Sequence, residues 1–158
     1  MLRRFLVLAL LSLAVTGWAA ADDRNEDVSV KIMTQNMDDG TDQTYIIAAL
    51  TGQLPLPVPS AVDLTYLELQ ASNFEERARL MAEQIADKKP DLVALQEAVL
   101  WRINLTPVSE TTVLYDQLDL LLSALKKLRV PYDVVTMNIL SDIALPGEEI
   151  GALRFTDR

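Results

Sequence analysis

The sequence predicts an α+β fold in which one mixed β-sheet carries helices on one face. Strand-like apolar segments alternate along the chain with longer segments of helical periodicity. This order favours parallel strands joined by right-handed crossovers. The strand predicted at 91–98 is apolar without alternation, which is typical of a strand covered on both faces. The strand that begins at Ala152 follows a shorter connection, which is compatible with an antiparallel direction.

Periodicity and helix-ending signals then give the elements in order. In chain order they are a strand at 28–33, helices at 44–50, 61–70 and 73–89, a strand at 91–98, a helix at 113–128, and strands at 132–138 and from Ala152. The segment at 54–59 holds three prolines and is expected to be irregular. Ser72 and Glu75 form a capping-box pattern before the third helix, and Pro90 ends that helix.

Composition excludes several kinds of chemistry. The 158 residues, 50% hydrophobic and 23% charged, suit one globular domain. The chain has no cysteine and no histidine, so it cannot form a disulfide scaffold, a thiol nucleophile, a Ser-His-Asp triad or a histidine zinc site. Acidic residues number 23 against 14 basic ones, for a net charge of -9. This balance disfavours nucleic acid as a partner, although a divalent cation can join an acidic protein to a phosphate.

The N-terminus has the layout of a secretory signal peptide. Arg3 and Arg4 precede an apolar run at 5–15, and three alanines end at Ala21. We therefore expect a signal peptide at 1–21 that is cleaved before Asp22, and a secreted or periplasmic protein. The apolar run is shorter than the roughly 20 residues that span a bilayer, so no stable membrane anchor is expected. A mobile charged leader is predicted at 22–27.

Asn36 and Glu97 are the main candidates for chemistry. Each follows the apolar part of a predicted strand, and a helical crossover joins the two strands. Parallel pairing would therefore bring both side chains to the edge where ligands bind in open sheets. A carboxylate that ends an apolar strand must be solvated, paired or metal-bound, and Mg²⁺ takes oxygen ligands. The alternative is that Glu97 pairs with Arg77 or Arg102 while Asn36 caps a turn.

Two further groups of residues are interpreted as structural. Asp38, Asp39 and Asp42 lack the spacing of a calcium loop and are expected to form a solvated turn. Trp101 is expected to pack over the sheet edge instead of serving as a platform for substrate.

The segments around the two candidates resemble the opening motifs of the endonuclease/exonuclease/phosphatase superfamily. The matching residues are Thr34-Gln35-Asn36, the Arg77-Ala78 pair, and the run at 90–97 that ends in Gln96-Glu97. The stretch at 115–158 is similar to secreted bacterial members. The resemblance implies half of a four-layer α/β/β/α sandwich, with 28–158 as the N-terminal half of the domain.

The resemblance also implies a function, namely hydrolysis of a phosphoester that depends on a divalent metal. In that family the residue matching Glu97 binds Mg²⁺ (or Mn²⁺ or Ca²⁺), and the residue matching Asn36 helps to position the phosphate; Arg77 and Gln96 are supporting candidates. The family's catalytic histidines and its Asp-x-Asn segment belong to its second half and are absent here. The chain alone is therefore expected to be inactive. Nuclease, phosphodiesterase and sugar- or inositol-phosphatase activities share these motifs, and a secreted non-catalytic binding module is the alternative.

Overall fold

A computed structural model describes residues 29–104 and 111–158. Within these residues the chain forms an α+β fold, which confirms the predicted class. The elements in chain order are β1 (Ile32–Asn36), α1 (Thr44–Leu50), α2 (Val58–Ala71), α3 (Phe74–Lys88), β2 (Leu92–Gln96), β3 (Leu100–Asn104), β4 (Thr112–Asp116), α4 (Gln117–Lys127), β5 (Ser141–Pro146) and β6 (Ala152–Asp157). The expected signal peptide at 1–21 and leader at 22–27 lie outside the described residues.

The described strands form two sheets, so the prediction of one mixed sheet was wrong. β1 and β2 pair in parallel, with Asn36 opposite Gln96. The other four strands form an antiparallel sheet in the order β4-β3-β6-β5. The chain leaves the parallel pair at Glu97, whose φ of 54° is left-handed and ends the extended backbone of β2. β3 then begins three residues later in a different sheet.

Each sheet shares a core mainly with two helices, and Phe74 of α3 also enters the core of the antiparallel sheet. The antiparallel sheet shares a core with α1 and α2 that includes Ile46, Val62, Leu69, Trp101, Ile103 and Leu153. The parallel pair shares a core with α3 and α4 that includes Met81, Ile85, Leu121 and Leu125, with Met33, Val93 and Leu95 packed against it. Within the described residues the opposite face of the parallel pair is open, because Ile32 and Leu92 are 62% and 50% exposed. The helices therefore lie on one face of these two strands, as predicted, and no described element covers the other face of β2.

Two predicted elements change identity. The expected helix at 113–128 begins only at Gln117, because residues 112–116 pair with β3 and the Asp116 side chain accepts the Asp119 N–H at the helix start. The expected strand at 132–138 is not formed, although it is rich in β-branched residues. Val135 is 87% exposed there. Strand propensity depends on a paired, half-buried setting, which this segment lacks within the described part of the chain.

Other boundaries show which local signals were reliable. α1 has the predicted bounds, and β6 is antiparallel to both of its neighbours. β3 and β5 were not predicted. α2 begins earlier than expected because proline is tolerated in a first helical turn. The prediction of a capping box was wrong, because Asn73, not Ser72, occupies the N-cap position of α3. The Asn73 side chain makes no capping hydrogen bond. No helix at 29–104 or 111–158 has both the length and the apolar content of a membrane span.

Candidate functional site

Asn36 and Glu97 meet at the carboxyl end of the parallel pair. Asn36 is the last residue of β1, and Glu97 directly follows its register partner, Gln96. The Asn36 Nδ2 atom donates a hydrogen bond to Glu97 Oε1 at 3.0 Å. This contact confirms that the two side chains come together, as parallel alignment of the strands predicted. Their chemical roles remain predictions.

Both ends of the Asn36 amide are used. Its Oδ1 atom accepts the Asp38 N–H at 2.7 Å, while its Nδ2 atom binds Glu97. Asn36 therefore caps a turn, as the alternative interpretation expected, and it also contacts Glu97. Because the backbone N–H requires the oxygen, the nitrogen of the amide must point towards the carboxylate. Asn36 thus orients the Glu97 carboxylate by a hydrogen bond to its Oε1 atom.

The ladder of backbone hydrogen bonds continues past the strand ends and supports this pair. The Met37 N–H donates to the Gln96 carbonyl at 2.8 Å. Glu97 then adopts its left-handed conformation, which is unusual for a residue with a β-carbon. Its side chain is half-buried and lies against Asn36. A strained backbone at a candidate site is an observation that favours a function for that residue.

Arg77 serves the segment that follows β1, residues 37–43, which we call the β1 loop. Its guanidinium donates to the Met37 carbonyl and, at 2.8 Å, to the Asp38 carbonyl. Arg102 instead lies in the antiparallel sheet, where it bonds to Thr156. The expectation that either arginine pairs with Glu97 was therefore wrong. Arg77 supports the site by holding the loop beside Asn36.

Trp101 and Gln117 hold the same loop from two other elements. The Trp101 indole Nε1–H donates to the Asp39 carbonyl at 2.8 Å, and the Gln117 Nε2 atom donates to the Asp38 carbonyl at 2.9 Å. Both side chains are 2% exposed. Burial of Trp101 confirms that it packs instead of forming an open platform for substrate.

Gln117 was missed by the sequence analysis. It precedes Leu121 and Leu125 at intervals of four residues and is buried with them on one face of α4. A glutamine in such an apolar stripe is the signal that could have identified it, because a buried amide must find hydrogen-bond partners.

The acidic residues of the β1 loop stabilise its own turns. Carboxylate oxygens of Asp38, Asp39 and Asp42 accept the N–H groups of Gly40, Thr41 and Thr44 at 2.8, 3.0 and 2.9 Å. The expected solvated turn is confirmed for Asp38 and Asp42, which are exposed, whereas Asp39 is half-buried. Burial raises the pKa of Asp39; hydrogen bonds from the Thr41 backbone and the Gln43 side chain oppose this rise, and the charge of Glu97 adds to it. Asp39 is therefore close enough to experience the negative potential of Glu97.

Gln96 contributes to the site mainly through its backbone carbonyl. Its side chain is exposed and donates a long hydrogen bond of 3.5 Å to the Ala94 carbonyl. The structure places it opposite Asn36 in the strand register, without a side-chain bond to either Asn36 or Glu97. A supporting role for its side chain remains a prediction.

The described residues do not form a closed metal cage around Glu97. Within 29–104 and 111–158, no group of three or more acidic, histidine or cysteine side chains is arranged to hold a metal. Among these residues the second carboxylate oxygen of Glu97, Oε2, accepts no hydrogen bond. Mg²⁺ commonly keeps several waters and binds one or two carboxylates together with substrate phosphates. Glu97 provides one such carboxylate oxygen, and its binding to Mg²⁺ remains a prediction.

No protein-family model, curated protein or solved structure matches this chain.

Proposed function

We propose that the chain provides the cation-binding and phosphate-positioning part of a divalent-metal-dependent phosphoester hydrolase of the endonuclease/exonuclease/phosphatase type. The observation that carries this proposal is the Asn36–Glu97 hydrogen bond at the shared carboxyl end of two parallel strands. Ligands bind beyond this edge in open sheets that contain parallel strands. The contact also joins the two residues on which the resemblance to that family depends.

Each residue has a distinct role in this proposal. Glu97 would hold Mg²⁺ through Oε2, while Asn36 fixes the opposite oxygen of the carboxylate. When bound, the cation supplies positive charge that stabilises the negative charge developing on a phosphoryl group. The Asn36 amide has two N–H donors, so one remains for a phosphate oxygen after the bond to Glu97 is made. Asn36 can therefore orient the carboxylate and the substrate together.

The same site lacks a group to activate water. The chain contains no histidine, which is the commonest general base. Asp39, the neighbouring carboxylate, already accepts hydrogen bonds from Thr41 and Gln43. We therefore expect this chain to bind cation and phosphate without turnover.

Paramagnetic Mn²⁺ tests the cation site directly. In ¹H–¹⁵N NMR spectra, Mn²⁺ should broaden the Asn36 side-chain amide and the Met37 amide before other signals, and Glu97→Gln should abolish this selectivity. Glu148→Gln is the matched control, because Glu148 is exposed and also accepts one hydrogen bond from a neutral side chain, Ser60, at 2.6 Å. Equal broadening in wild type and Glu97→Gln would contradict the proposal.

A secreted non-catalytic binding module is the second candidate, and the exposed apolar surface favours it. Ile32 and Leu92 lie on the open face of the parallel pair, and Val135, Ile139 and Leu140 are exposed beyond α4. Exposed apolar patches commonly mark contact surfaces. A folded protein without a selective Mn²⁺ response, in which Ile32→Thr lowers self-association in sedimentation velocity, would favour the binding module.

The proposed location is secreted or periplasmic and depends on the N-terminal layout alone. Mass spectrometry of the exported protein should give a first residue of Asp22. An intact Met1 on protein from the cytoplasm would contradict the proposed export.

A further inference from the structure

We infer that Gln117 is a positioning residue that sets the distance between Asn36 and Glu97. This inference deepens the proposed function and rests on it for the purpose of the pair. The Gln117 side-chain amide bonds to Asp38, which follows Asn36, and to Val99, which follows Glu97.

The contacts of Gln117 form a bridge between two segments. Its side-chain Nε2 atom donates to the Asp38 carbonyl at 2.9 Å. Its Oε1 atom accepts the Val99 N–H at 3.3 Å, and its own backbone N–H donates to the Val99 carbonyl at 3.2 Å. Gln117 is thus attached to Val99 by two bonds and to the β1 loop by a third.

The two attachment points flank the candidate site symmetrically. Asp38 lies two residues after Asn36, and Val99 lies two residues after Glu97. Asp38 and Glu97 are both left-handed, with φ of 60° and 54°, so each connection is a sharp turn whose direction must be stabilised. The Gln117 amide spans these two turns from the buried side.

The other two donors to the β1 loop do not make this connection. Arg77 bonds to the carbonyls of Met37 and Asp38, and Trp101 bonds to the carbonyl of Asp39. Apart from Asn36 and Glu97 themselves, Gln117 is the one described side chain that bonds to the segments after both strands. Loss of the Gln117 bonds should therefore change the spacing of the pair, whereas loss of the Trp101 hydrogen bond should act on the β1 loop.

An amide suits this position because it donates and accepts at once. Methionine has a similar length but provides neither bond. It leaves the Val99 N–H without its side-chain acceptor and leaves the Asp38 carbonyl with Arg77 as its remaining side-chain donor. Glutamate keeps the shape, but its carboxylate cannot donate to the Asp38 carbonyl. Gln117→Met therefore removes both side-chain hydrogen bonds, whereas Gln117→Glu removes only the bond to the Asp38 carbonyl.

The experiment uses Tb³⁺, a hard cation that takes oxygen ligands, with Trp101 as the sensitising chromophore beside the loop. We expect Gln117→Met to raise the Tb³⁺ dissociation constant about tenfold or more, as is usual for a partner that orients a metal ligand. Thr65→Val is the matched control, because the fully buried Thr65 hydroxyl donates to the Ala61 carbonyl within α2, away from the pair. Thr65→Val should leave Tb³⁺ affinity unchanged.

A second readout needs no ion. Gln117→Met should shift the ¹⁵N-amide signals of the Asn36 side chain and speed hydrogen exchange at Met37, whose N–H joins the loop to Gln96. Thr65→Val should change neither. If Gln117→Met does not fold, Gln117→Glu replaces it in both measurements.

The outcomes separate the inference from the proposed function. The proposed function would be contradicted if the wild-type protein does not bind Tb³⁺, or if Glu97→Gln binds it as tightly as wild type. In either case the NMR signals of the Asn36 side chain and the hydrogen exchange at Met37 would still test the role of Gln117. Unchanged signals at Asn36 and Met37 in the Gln117 variant would overturn the inference. So would normal Tb³⁺ affinity in that variant when Glu97→Gln has lost it.

Discussion

The two sheets use their polar side chains in different ways. In the antiparallel sheet, Asp142 of β5 accepts hydrogen bonds from Arg154 Nε and Thr156 Oγ1 of β6 at 2.8 and 2.9 Å. Arg102 of β3 joins this network through Thr156. At the end of the parallel pair, by contrast, Arg77 and Gln117 donate to backbone carbonyls of the β1 loop. Among the described residues, the carboxylate of Glu97 receives a single hydrogen bond, from the uncharged amide of Asn36.

This difference indicates where a ligand can bind. The Asp142 carboxylate faces Arg154 and, at 3.9 Å, Arg102, so its charge is compensated and a cation would have to displace those partners. A carboxylate held by one amide keeps both its charge and an oxygen for a cation. Arg77, the neighbouring cation that could have neutralised Glu97, is directed to carbonyls of the β1 loop and to the Asp38 carboxylate, so it supports the site without occupying it. The parallel end is therefore the better candidate for chemistry.

Removal of Trp101 should have the largest effect, because this side chain links the antiparallel sheet to the β1 loop. We expect Trp101→Ala to lower the free energy of unfolding by about 3–5 kcal/mol, since it creates a large cavity in the core. Trp101→Phe keeps much of the ring and should cost about 1–3 kcal/mol, mainly because the Asp39 carbonyl loses its donor. Urea unfolding measures both. Equal losses for the two variants would mean that burial of the ring contributes nothing beyond the hydrogen bond to the loop.

Glycine substitution at Glu97 should sharpen the contrast between the site and ordinary secondary structure. Because the φ of Glu97 is 54°, Glu97→Gly should be more stable than Glu97→Ala by about 1 kcal/mol. Glu83 in α3 is the control, and there Gly should be less stable than Ala by about 1 kcal/mol. Urea unfolding of the four variants measures whether Gly or Ala is the more stable residue at each of the two positions. A Glu97→Ala variant as stable as Glu97→Gly would show that the backbone at this position is not strained.

The Asn36–Glu97 contact could be predicted from the sequence because it depends on two simple rules. A helical crossover makes neighbouring strands parallel, and parallel strands end at the same edge. Both rules need only the positions of the apolar segments, which can be recognised from the sequence. The periodicity of α1 and α3 was likewise sufficient, apart from the caps.

The remaining features depend on contacts between distant residues. Leu114 fits a helical stripe, yet it lies in β4 because residues 112–116 find a partner in β3. Val134 and Val135 have strand propensity but no strand to pair with in the described residues. The importance of Gln117 emerges only when α4 is placed beside both Asp38 and Val99. Sequence spacing alone contains none of these placements.

The smallest expected effect concerns the ion-pair network of the antiparallel sheet and its dependence on pH. Hydrogen bonds from Arg154 and Thr156 lower the pKa of Asp142 to about 2. In the unfolded chain the pKa of this carboxyl is higher than in the folded protein. Its contribution to stability is therefore complete above the unfolded-state pKa and is lost as pH falls towards the folded-state pKa of about 2. Asp142→Asn does not titrate and should be less stable than wild type near neutral pH.

The difference in stability between wild type and Asp142→Asn should therefore stay constant from neutral pH to about pH 5 and shrink as pH falls through the range between the two pKa values. Urea midpoints of both proteins at a series of pH values measure it, and the titration of other carboxyls cancels in the difference. In an Arg154→Met background the same substitution should have a smaller effect, because the two side chains interact. A difference that grows on acidification would contradict this account. The charge of Asp142 would then not be compensated within the sheet, and the contrast with Glu97 would fail.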